Sequence, residues 1–435
     1  MLICRLEHSP LRILHEKLTA DPGRVVLRPF HLAWQTNVSE PPRAAQLVSD
    51  ILGLDDDQAE LELGLIWKDF SERHWQIGEI FDERYREISE DLDLDDAAVS
   101  PVKRRLIGAY FCHEYSYAAA ALMNPSIVPH PDQSGLAGDQ LRFVMSMRAV
   151  GEGHISSVAF REGIIGPGAD FQLWPQSGPA MAATADDRHH MGPDEAVSIH
   201  RHSGSAISNS VLFPVTEAQR NGLEDLRLVR FVEDDGQVEY LGTYTAYSGQ
   251  AIRSELLRTR DFSSFCLAPL GGIAARHKGM ALFPRRIDGR YRMIARQDGK
   301  NITILTSDRL DEWNDEGQVL IRPEFPWEFV QMGNCGSPIE CDAGWILLTH
   351  GVGAMRKYSL GAALLDREDP SRVIARTRCP ILSAAESDRE GYVPNVVYTC
   401  GAVRVDEQLF IPYGISDSAI GFATTTIDAM LAAMD

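Results

Sequence analysis

Apolar side chains recur at helical spacing in the first part of the chain. Between Trp67 and Ile88 they step by three or four residues and draw one stripe, formed by Trp67, Phe70, His74, Ile77, Phe81, Tyr85 and Ile88. The acidic stretch 91–96 and Pro101 end this helix, and a second helical stretch is predicted from Val102 to about Leu122. We therefore predict that residues 1–122 form a mainly helical extension. Its stripe is typical of a core or a subunit interface, so it is expected to act as a cap or as a homo-oligomer contact.

After residue 122 the pattern changes to short alternating runs, which are typical of β-strands. Polar turns separate the runs at Asp235-Gly236, Asp288-Gly289, Asp342–Gly344 and Asp406-Glu407, whose leading aspartates are 53, 54 and 64 residues apart. A repeat of this length, built from antiparallel strands, is typical of propeller blades. With an earlier unit at 141–161, about five units can be counted. We predict an all-β, five-bladed β-propeller over residues 123–435. A pair of β-sandwiches would give similar turns but not so regular a spacing.

The charge balance narrows the range of partners. Against 62 acidic side chains stand 42 basic ones, for a formal net charge of −20. Nucleic acids and anionic membranes need basic patches, so this balance excludes them as partners. A small anionic ligand stays compatible, because a few local cations can bind it. The amino-terminal segment lacks the apolar core of a secretory signal, and no apolar run approaches the ~18 residues of a membrane helix.

The seven cysteines are odd in number and widely spaced, without a CxxC pair. They support neither a disulfide framework nor structural zinc. We expect a cytoplasmic protein with mostly buried, reduced thiols.

The common catalytic fingerprints are missing: there is no P-loop, no HExxH and no GxSxG. Gly163–Gly168 is a loose glycine cluster without a following helix, which leaves dinucleotide binding unsupported. The segment with His189-His190 and His200-x-His202 matches no recognised ligand spacing, so it is read as a polar surface loop. No metal or other cofactor is predicted.

Charged residues at strand ends are the candidate chemistry. The segment Glu224-Asp225-Leu226-Arg227 begins a strand, and alternation puts Asp225 and Arg227 on one face with Glu224 pointing away. Arg148, Lys278 and Arg296 lie at the ends of other strands. In a propeller such ends converge on one channel, where cations would bind an anion or a polyol. A structural Asp–Arg pair and scattered surface cations are the alternatives.

Several stretches together resemble glycoside hydrolase family 130, whose members are five-bladed propellers acting on β-mannosides. The resemblance begins at Asn124-Pro125-Ser126 and covers about 300 residues in the family's order. The other matching stretches lie at 146–163, 224–227, 278–296, 337–352, 358–376, 392–403 and 413–424.

The resemblance implies a role for each matched residue. Asp225 would be the general acid of an inverting reaction, in a motif that reads Glu-Asp-Leu-Arg here and Glu-Asp-Pro-Arg in the family. The residues that would bind sugar or phosphate are Arg148, Arg227, Lys278, Arg296, His350 and Asp417. For His350 a buried structural role is the alternative. Asp417 is expected to bind a sugar hydroxyl and is the next candidate for the acid. Beyond the sugar substrate, the co-substrate of a phosphorylase would be inorganic phosphate.

One departure from the family decides the expected reaction. Family phosphorylases have a Pro-Ile-Lys motif whose lysine binds phosphate, and the matching segment here is Pro338-Ile339-Glu340. A carboxylate would repel phosphate and could activate water as general base, as inverting hydrolysis requires. The alternative role for Glu340 is a structural ion pair with Lys278 or Arg296. We therefore expect an inverting β-mannoside hydrolase with Asp225 and Glu340 as its catalytic pair. A β-mannoside phosphorylase that releases mannose 1-phosphate is the alternative, and a carbohydrate-binding propeller without activity comes third.

Overall fold

The computed structural model describes residues 9–32, 43–176, 178–185 and 195–434. These residues form two compact units. One, the β unit, holds residues 9–22, 117–176, 183–185 and 195–434. The other, the helical unit, holds residues 23–32, 43–116 and 178–182.

The chain is mostly β with few helices. The helices are α1 (Arg43–Leu52), α2 (Asp56–Phe70), α3 (Ile77–Leu92), α4 (Pro101–Tyr110) and α5 (Ile427–Ala432). The strands are β1 (Arg12–Thr19), β2 (Val25–Pro29), β3 (Cys112–Ser116), β4 (Ala121–Pro129), β5 (Leu141–Val150), β6 (Ser156–Ile165), β7 (Phe171–Leu173), β8 (Met181–Ala182), β9 (Thr184–Ala185), β10 (Val197–His200), β11 (Ser210–Leu212), β12 (Gly222–Val232), β13 (Val238–Tyr247), β14 (Ile252–Thr259), β15 (Ser264–Pro269), β16 (Ala281–Leu282), β17 (Tyr291–Ala295), β18 (Ile302–Ser307), β19 (Gln318–Ile321), β20 (Gln331–Asn334), β21 (Ile339–Cys341), β22 (Gly344–Val352), β23 (Tyr358–Leu365), β24 (Val373–Arg376), β25 (Leu382–Ser383), β26 (Val397–Tyr398), β27 (Val403–Val405), β28 (Gln408–Ile415) and β29 (Ala419–Thr426).

The helical unit packs α1 to α4 around one apolar cluster, beside the antiparallel pair of β2 and β3. Asp55 caps α2: its carboxylate accepts from the backbone N–H of Gln58, whose side chain accepts in return from Asp55 N–H. The predicted continuous helix from Trp67 to Ile88 is wrong. It is interrupted between Phe70 and Ile77, and the turn there lets buried His74 reach Glu114, with 2.8 Å from Nε2 to Oε1.

The predicted helix from Val102 to about Leu122 is also too long. It ends at Tyr110, and the alternating segment Cys112–Ser116 leaves it to pair with β2. Among the described helices, none is both long and apolar enough to cross a membrane.

In the β unit, the strands form mostly antiparallel groups. The largest sheet contains the series β4-β5-β6-β7 and β12-β13-β14-β15, which meet at a single parallel bridge between Ser156 and Gly222. Strands β10 and β9 continue beyond β15. The next sheets are β16-β17-β18-β19 and β20-β22-β23-β24, the latter with β21 and β25 at its sides. The last is β26-β28-β29-β1, with β27 on β28, so the first described strand completes the sheet of the last ones.

The four predicted hairpin turns are confirmed. Asp235-Gly236 connects β12 to β13, and Asp406-Glu407 connects β27 to β28. Asp288-Gly289 precedes β17, where Ile287 bridges Arg290, and the turn at Asp342 connects β21 to β22. Each turn joins antiparallel neighbours, because a tight turn returns the chain beside the strand it leaves.

Of the described cysteines, five are free thiols: Cys112, Cys266, Cys335, Cys341 and Cys400, the last three buried. Cys379 is in a disulfide, so the expectation of reduced thiols applies to the other five. Cys4 lies outside the described residues.

Candidate functional site

The carboxylate of Asp225 is positioned by a bulge in β12. Pairing with β13 is regular up to Glu224 and resumes at Arg227, and Asp225 has a left-handed backbone with φ of 54°. The bulge breaks the alternation of side chains, so the expectation that Glu224 points away is wrong. Both carboxylates reach Arg148, at 2.6 Å for Glu224 and 3.3 Å for Asp225.

A second bulge, in β4, brings an amide to the same carboxylate. Pairing with β5 shifts between Met123 and Ser126, and Asn124 has φ of 49°. Its Nδ2 donates to Oδ1 of Asp225 at 2.6 Å. Two residues that are not glycine thus hold left-handed backbones to face each other. Such backbone strain is concentrated at functional sites.

Asp225 opens onto a pocket built from several sheets. Its described lining consists of Asp225 and Arg227 from β12, Thr245 from β13, Lys278 and Gly279 ahead of β16, Arg296 after β17, Gly333 and Asn334 from β20, His350 from β22 and Tyr398 from β26. The structure therefore brings together five of the predicted site residues: Asp225, Arg227, Lys278, Arg296 and His350. Arg148 contacts the same carboxylate from β5.

The pocket is rich in positive charge. Among its described lining residues, Asp225 is the only carboxylate, against Arg227, Lys278 and Arg296. Within the part of the chain that the structure describes, neither Lys278 nor Arg296 forms an ion pair. Arg227 donates to the hydroxyl of Tyr398 at 2.7 Å and to the backbone oxygen of Asp225 at 2.9 Å. Two cations that lack a carboxylate partner, in a concave site, fit an anionic ligand.

The charges set the protonation states. Burial alone would raise the pKa of Asp225, but Arg148, Arg227 and the hydrogen bond from Asn124 outweigh it and hold that pKa below its ordinary value. Burial, reinforced by Arg296, lowers the pKa of His350 well below its usual range. The pocket therefore has an ionised aspartate and a neutral imidazole near pH 7.

Asp417 lies close to this site without lining the pocket. It is in the turn between β28 and β29, with φ of 48°. Burial and the charge of Asp225 raise the pKa of Asp417 to about 6, against the opposing effect of Arg148 and Arg356. This carboxyl thus takes up a proton more readily than an ordinary aspartate does.

Glu340 is not in the pocket. It lies on β21, where its carboxylate accepts two hydrogen bonds from Arg285, at 2.8 and 3.1 Å, and lies 3.4 Å from Arg367. The hydrogen bond from Arg285 is the main cause that lowers the pKa of Glu340. The expectation that Glu340 enters the site, or pairs with Lys278 or Arg296, does not match this geometry, because two nearer arginines bind the carboxylate.

Sequence reasoning missed four polar residues of the site as functional candidates: Asn124, Thr245, Asn334 and Tyr398. Asn124 and Tyr398 do lie in stretches that carry the family resemblance. Asn334 is buried, lines the pocket and precedes the Pro338 segment by only a few residues. Their positions depend on long-range pairing, and Asn124 and Asp225 are 101 residues apart.

The histidine segment shows no metal geometry where it is described. Nδ1 of His200 lies 3.0 Å from the hydroxyl of Ser264, and Nδ1 of His202 accepts from Gly204 N–H at 3.1 Å. Across the described residues, no group of three or more histidine, cysteine or acidic side chains could hold a metal ion. His189 and His190 lie outside the described residues.

These features define a class: a β-rich protein with a concave pocket that, among its described lining residues, has three cations and one carboxylate. Comparison with known proteins narrows this class. Residues 202–435, more than half of the chain, match the family model described as β-1,4-mannooligosaccharide phosphorylase. The chain belongs to glycoside hydrolase family 130.

Curated relatives and a solved structure agree with this membership. The chain is 35% identical over 228 residues to the 1,2-β-oligomannan phosphorylase of Thermoanaerobacter sp. (strain X514), covering 50% of this chain and 72% of that protein. It is 30% identical over 257 residues to the β-1,2-mannobiose phosphorylase of Listeria innocua, covering 57% and 66%. A Listeria innocua β-1,2-mannobiose phosphorylase, solved in complex with β-1,2-mannobiose, aligns with a TM-score of 0.51 at 20% identity over 72% of this chain and 92% of that one.

Proposed function

We propose that this protein is a β-mannoside phosphorylase. It transfers a mannosyl residue from a short β-mannoside to inorganic phosphate, with inversion, and releases mannose 1-phosphate and the remaining sugar. The observation that carries the proposal is the pocket itself: a single carboxylate, Asp225, beside Lys278 and Arg296, two cations that have no ion-pair partner among the described residues.

The pocket suits phosphate better than it suits water as the nucleophile. Phosphate brings its own negative charge and needs no base, whereas water in an inverting hydrolase must be activated by a second carboxylate on the opposite face of the sugar. Unit charges ~4 Å apart interact by about 4 kcal/mol at an effective dielectric of 20, so Lys278 and Arg296 stabilise a phosphate dianion substantially. Because its imidazole is neutral, His350 can form a hydrogen bond with phosphate or sugar without adding charge to the pocket.

Asp225 supplies the proton for the leaving group. A phosphate oxygen attacks the anomeric carbon as the glycosidic C–O bond breaks, and the proton of Asp225 goes to the departing oxygen, by way of a sugar hydroxyl. Before phosphate binds, the Asp225 carboxyl is ionised, because its pKa is lowered. Bound phosphate offsets the cations and places a negative charge nearby, so it raises the pKa of Asp225 and favours the protonated form. Asn124 and Arg148 hold the carboxyl in place, and Asp417 binds sugar hydroxyls.

Hydrolysis, the reaction expected from Glu340, loses its support. That expectation required Glu340 to face the sugar, and its carboxylate is instead bound by Arg285 and Arg367. The two curated relatives described above are a 1,2-β-oligomannan phosphorylase and a β-1,2-mannobiose phosphorylase. Glu340 is therefore proposed to be a structural residue.

The β unit is proposed to be a five-bladed propeller. Its strands form five antiparallel series of four strands each, and four antiparallel strands make one propeller blade. The series are β4-β5-β6-β7, β12-β13-β14-β15, β16-β17-β18-β19, β20-β22-β23-β24 and β26-β28-β29-β1. In this arrangement β1 closes the ring, because it comes from the other end of the chain than β28 and β29. The predicted division into a helical extension, residues 1–122, and a catalytic domain, residues 123–435, is retained with β1 assigned to the last blade.

Two further properties belong to this proposal. Exposed apolar residues of α2, with Leu61 at 69% and Leu65 at 51% exposure, support a homo-oligomer contact through the helices. A cytoplasmic location is supported by the reaction, which conserves the glycosidic bond energy in a sugar phosphate.

Incubation with β-1,2-mannobiose and β-1,4-mannobiose, with and without phosphate, tests the reaction. We expect mannose 1-phosphate to form only when phosphate is present. Release of free mannose at the same rate without phosphate would overturn the proposal.

A further inference from the structure

An exposed aromatic pair lies outside the pocket that the mechanism uses. The Tyr392 side chain is 50% exposed, and its hydroxyl lies 3.0 Å from Nδ1 of His154. The two rings are 5.9 Å apart and tilted by 39°. His154 is exposed too. Both side chains are thus accessible to solvent, while the Tyr392 hydroxyl and Nδ1 of His154 contact each other.

Tyr392 is held directly against the turn that carries Asp417. Its backbone N–H donates to the hydroxyl of Ser418 at 2.6 Å, and the next N–H, of Val393, donates to the backbone oxygen of Ser416 at 3.0 Å. These two bonds bracket Asp417 from both sides. Asp417 in turn is close enough to Asp225 for the charge of Asp225 to raise the pKa of Asp417.

His154 lies in a turn between two other strands. It is in the turn between β5 and β6, and β6 begins at Ser156, whose hydroxyl accepts from Nε of Arg148 at 2.9 Å. Arg148 binds the Asp225 carboxylate. The Tyr392–His154 contact therefore joins the turn beside Arg148 to the turn of Asp417, and both turns border the acid.

We infer that the Tyr392–His154 pair is the binding face for the sugar residue that leaves in the reaction, the unit beyond the transferred mannosyl. This inference rests on the proposed function. Pyranose rings expose apolar C–H faces, and aromatic side chains with a fixed polar edge pack against such faces. In an inverting displacement the nucleophile and the leaving group lie on opposite sides of the anomeric carbon. The leaving sugar is accordingly expected away from Lys278 and Arg296, on the Asp417 side of Asp225.

The test separates sugar binding from phosphate chemistry. In the synthetic direction, with mannose 1-phosphate as donor and mannose as acceptor, Tyr392→Ala is expected to raise the KM for mannose about tenfold and to leave the KM for mannose 1-phosphate unchanged. Tyr392→Phe keeps the ring and is expected to stay within about threefold of the wild type. Tyr110→Ala is the matched control, because Tyr110 belongs to the helical unit, is 39% exposed and also makes one side-chain hydrogen bond, to Glu62.

A binding measurement keeps the inference testable if the chain proves not to be a phosphorylase. Calorimetric titration with β-1,2-mannobiose and with β-1,4-mannobiose, without phosphate, is expected to show about tenfold weaker affinity for Tyr392→Ala than for Tyr110→Ala. Equal affinities for the two variants would overturn the inference, as would equal rises in the KM values for mannose and mannose 1-phosphate. Absence of phosphate-dependent turnover in the wild type would instead overturn the proposed function.

Discussion

Substitution of Glu340 by glutamine is the single change that best distinguishes phosphorolysis from hydrolysis. The change removes a charge and keeps the shape of the side chain. The Glu340 side chain is 30% exposed, and its arginine partners Arg285 and Arg367 are 39% and 51% exposed. If Glu340 is structural, the substitution affects stability slightly and catalysis hardly at all.

The expected magnitude follows from this exposure. Ion pairs open to solvent contribute at most about 1 kcal/mol each, because water and salt screen them. Arg285 also keeps its position over the Trp345 ring, 5.0 Å from the centroid, and the glutamine oxygen still accepts one of its hydrogen bonds. We expect the free energy of unfolding to fall by about 1 kcal/mol and kcat to stay within about twofold. A general base would instead cost about 10²–10⁴-fold in rate.

The sign of the pH dependence gives an internal check. The pKa of Glu340 is lowered in the folded state, chiefly by the hydrogen bond from Arg285. Its stabilisation is therefore present above the ordinary carboxyl pKa and is lost as the pH falls through the folded-state pKa. The stability difference between wild type and Glu340→Gln is expected near pH 7 and should vanish in acid.

The assay combines urea unfolding with the rate of mannose 1-phosphate formation, with Asp225→Asn as the inactive reference. A rate loss of a hundredfold or more in folded Glu340→Gln would refute this account. Partial recovery of cleavage with azide, which attacks without a base, would identify Glu340 as the base instead.

Four other outcomes are expected. Asp225→Asn should lose about 10²–10⁴-fold in kcat with an unchanged unfolding transition, and near-wild-type turnover would place the acid elsewhere. Lys278→Ala should raise the KM for phosphate about 10- to 100-fold, while the exposed control Lys300→Ala should leave this KM unchanged. If the two variants have similar KM values for phosphate, Lys278 does not belong to the anion site. The acid form of Asp225 is lost as pH rises, and bound phosphate raises the pKa of Asp225. The alkaline limb of the wild-type pH–rate profile should therefore move to higher pH as phosphate approaches saturation. A limb that phosphate does not move would contradict this coupling between phosphate and the Asp225 proton. Gly344→Ala should lower the free energy of unfolding, measured in urea, by at least about 2 kcal/mol, because φ is 140° and an added Cβ would lie 2.1 Å from the backbone oxygen of Leu365. Gly236→Ala is the control: its φ is 84° but the space around it is open, so it should cost about half as much.

Local chemistry in the sequence was sufficient to predict the hairpins. The turns at Asp235 and Asp406 carry residues that favour tight reversals, and both connect antiparallel neighbours. Helix ends were less predictable. The segment Cys112–Ser116 follows α4 without a strong breaker and becomes a strand only because β2 is available to pair with it.

The site shows the same division between local and long-range information. That Lys278 and Arg296 lie in one pocket with Asp225 agrees with the expectation that strand ends converge. The bulge at Asp225 could not be read from alternation, because a single extra residue changes which side chains share a face. The arginine partners of Glu340 were not identified either, since Arg285 is 55 residues away in sequence.

Cleavage of β-1,2-mannobiose or β-1,4-mannobiose in ¹⁸O-labelled water, with saturating phosphate, tests the central claim most directly. Mass spectrometry of the products locates the oxygen that enters at the anomeric carbon. If phosphate is the nucleophile, all transferred mannose appears as mannose 1-phosphate whose anomeric oxygen carries no ¹⁸O. Two molecules of free mannose for each bond cleaved, without mannose 1-phosphate and with ¹⁸O on the transferred mannose, would show that water attacks, and would contradict the assignment of Lys278 and Arg296 to phosphate.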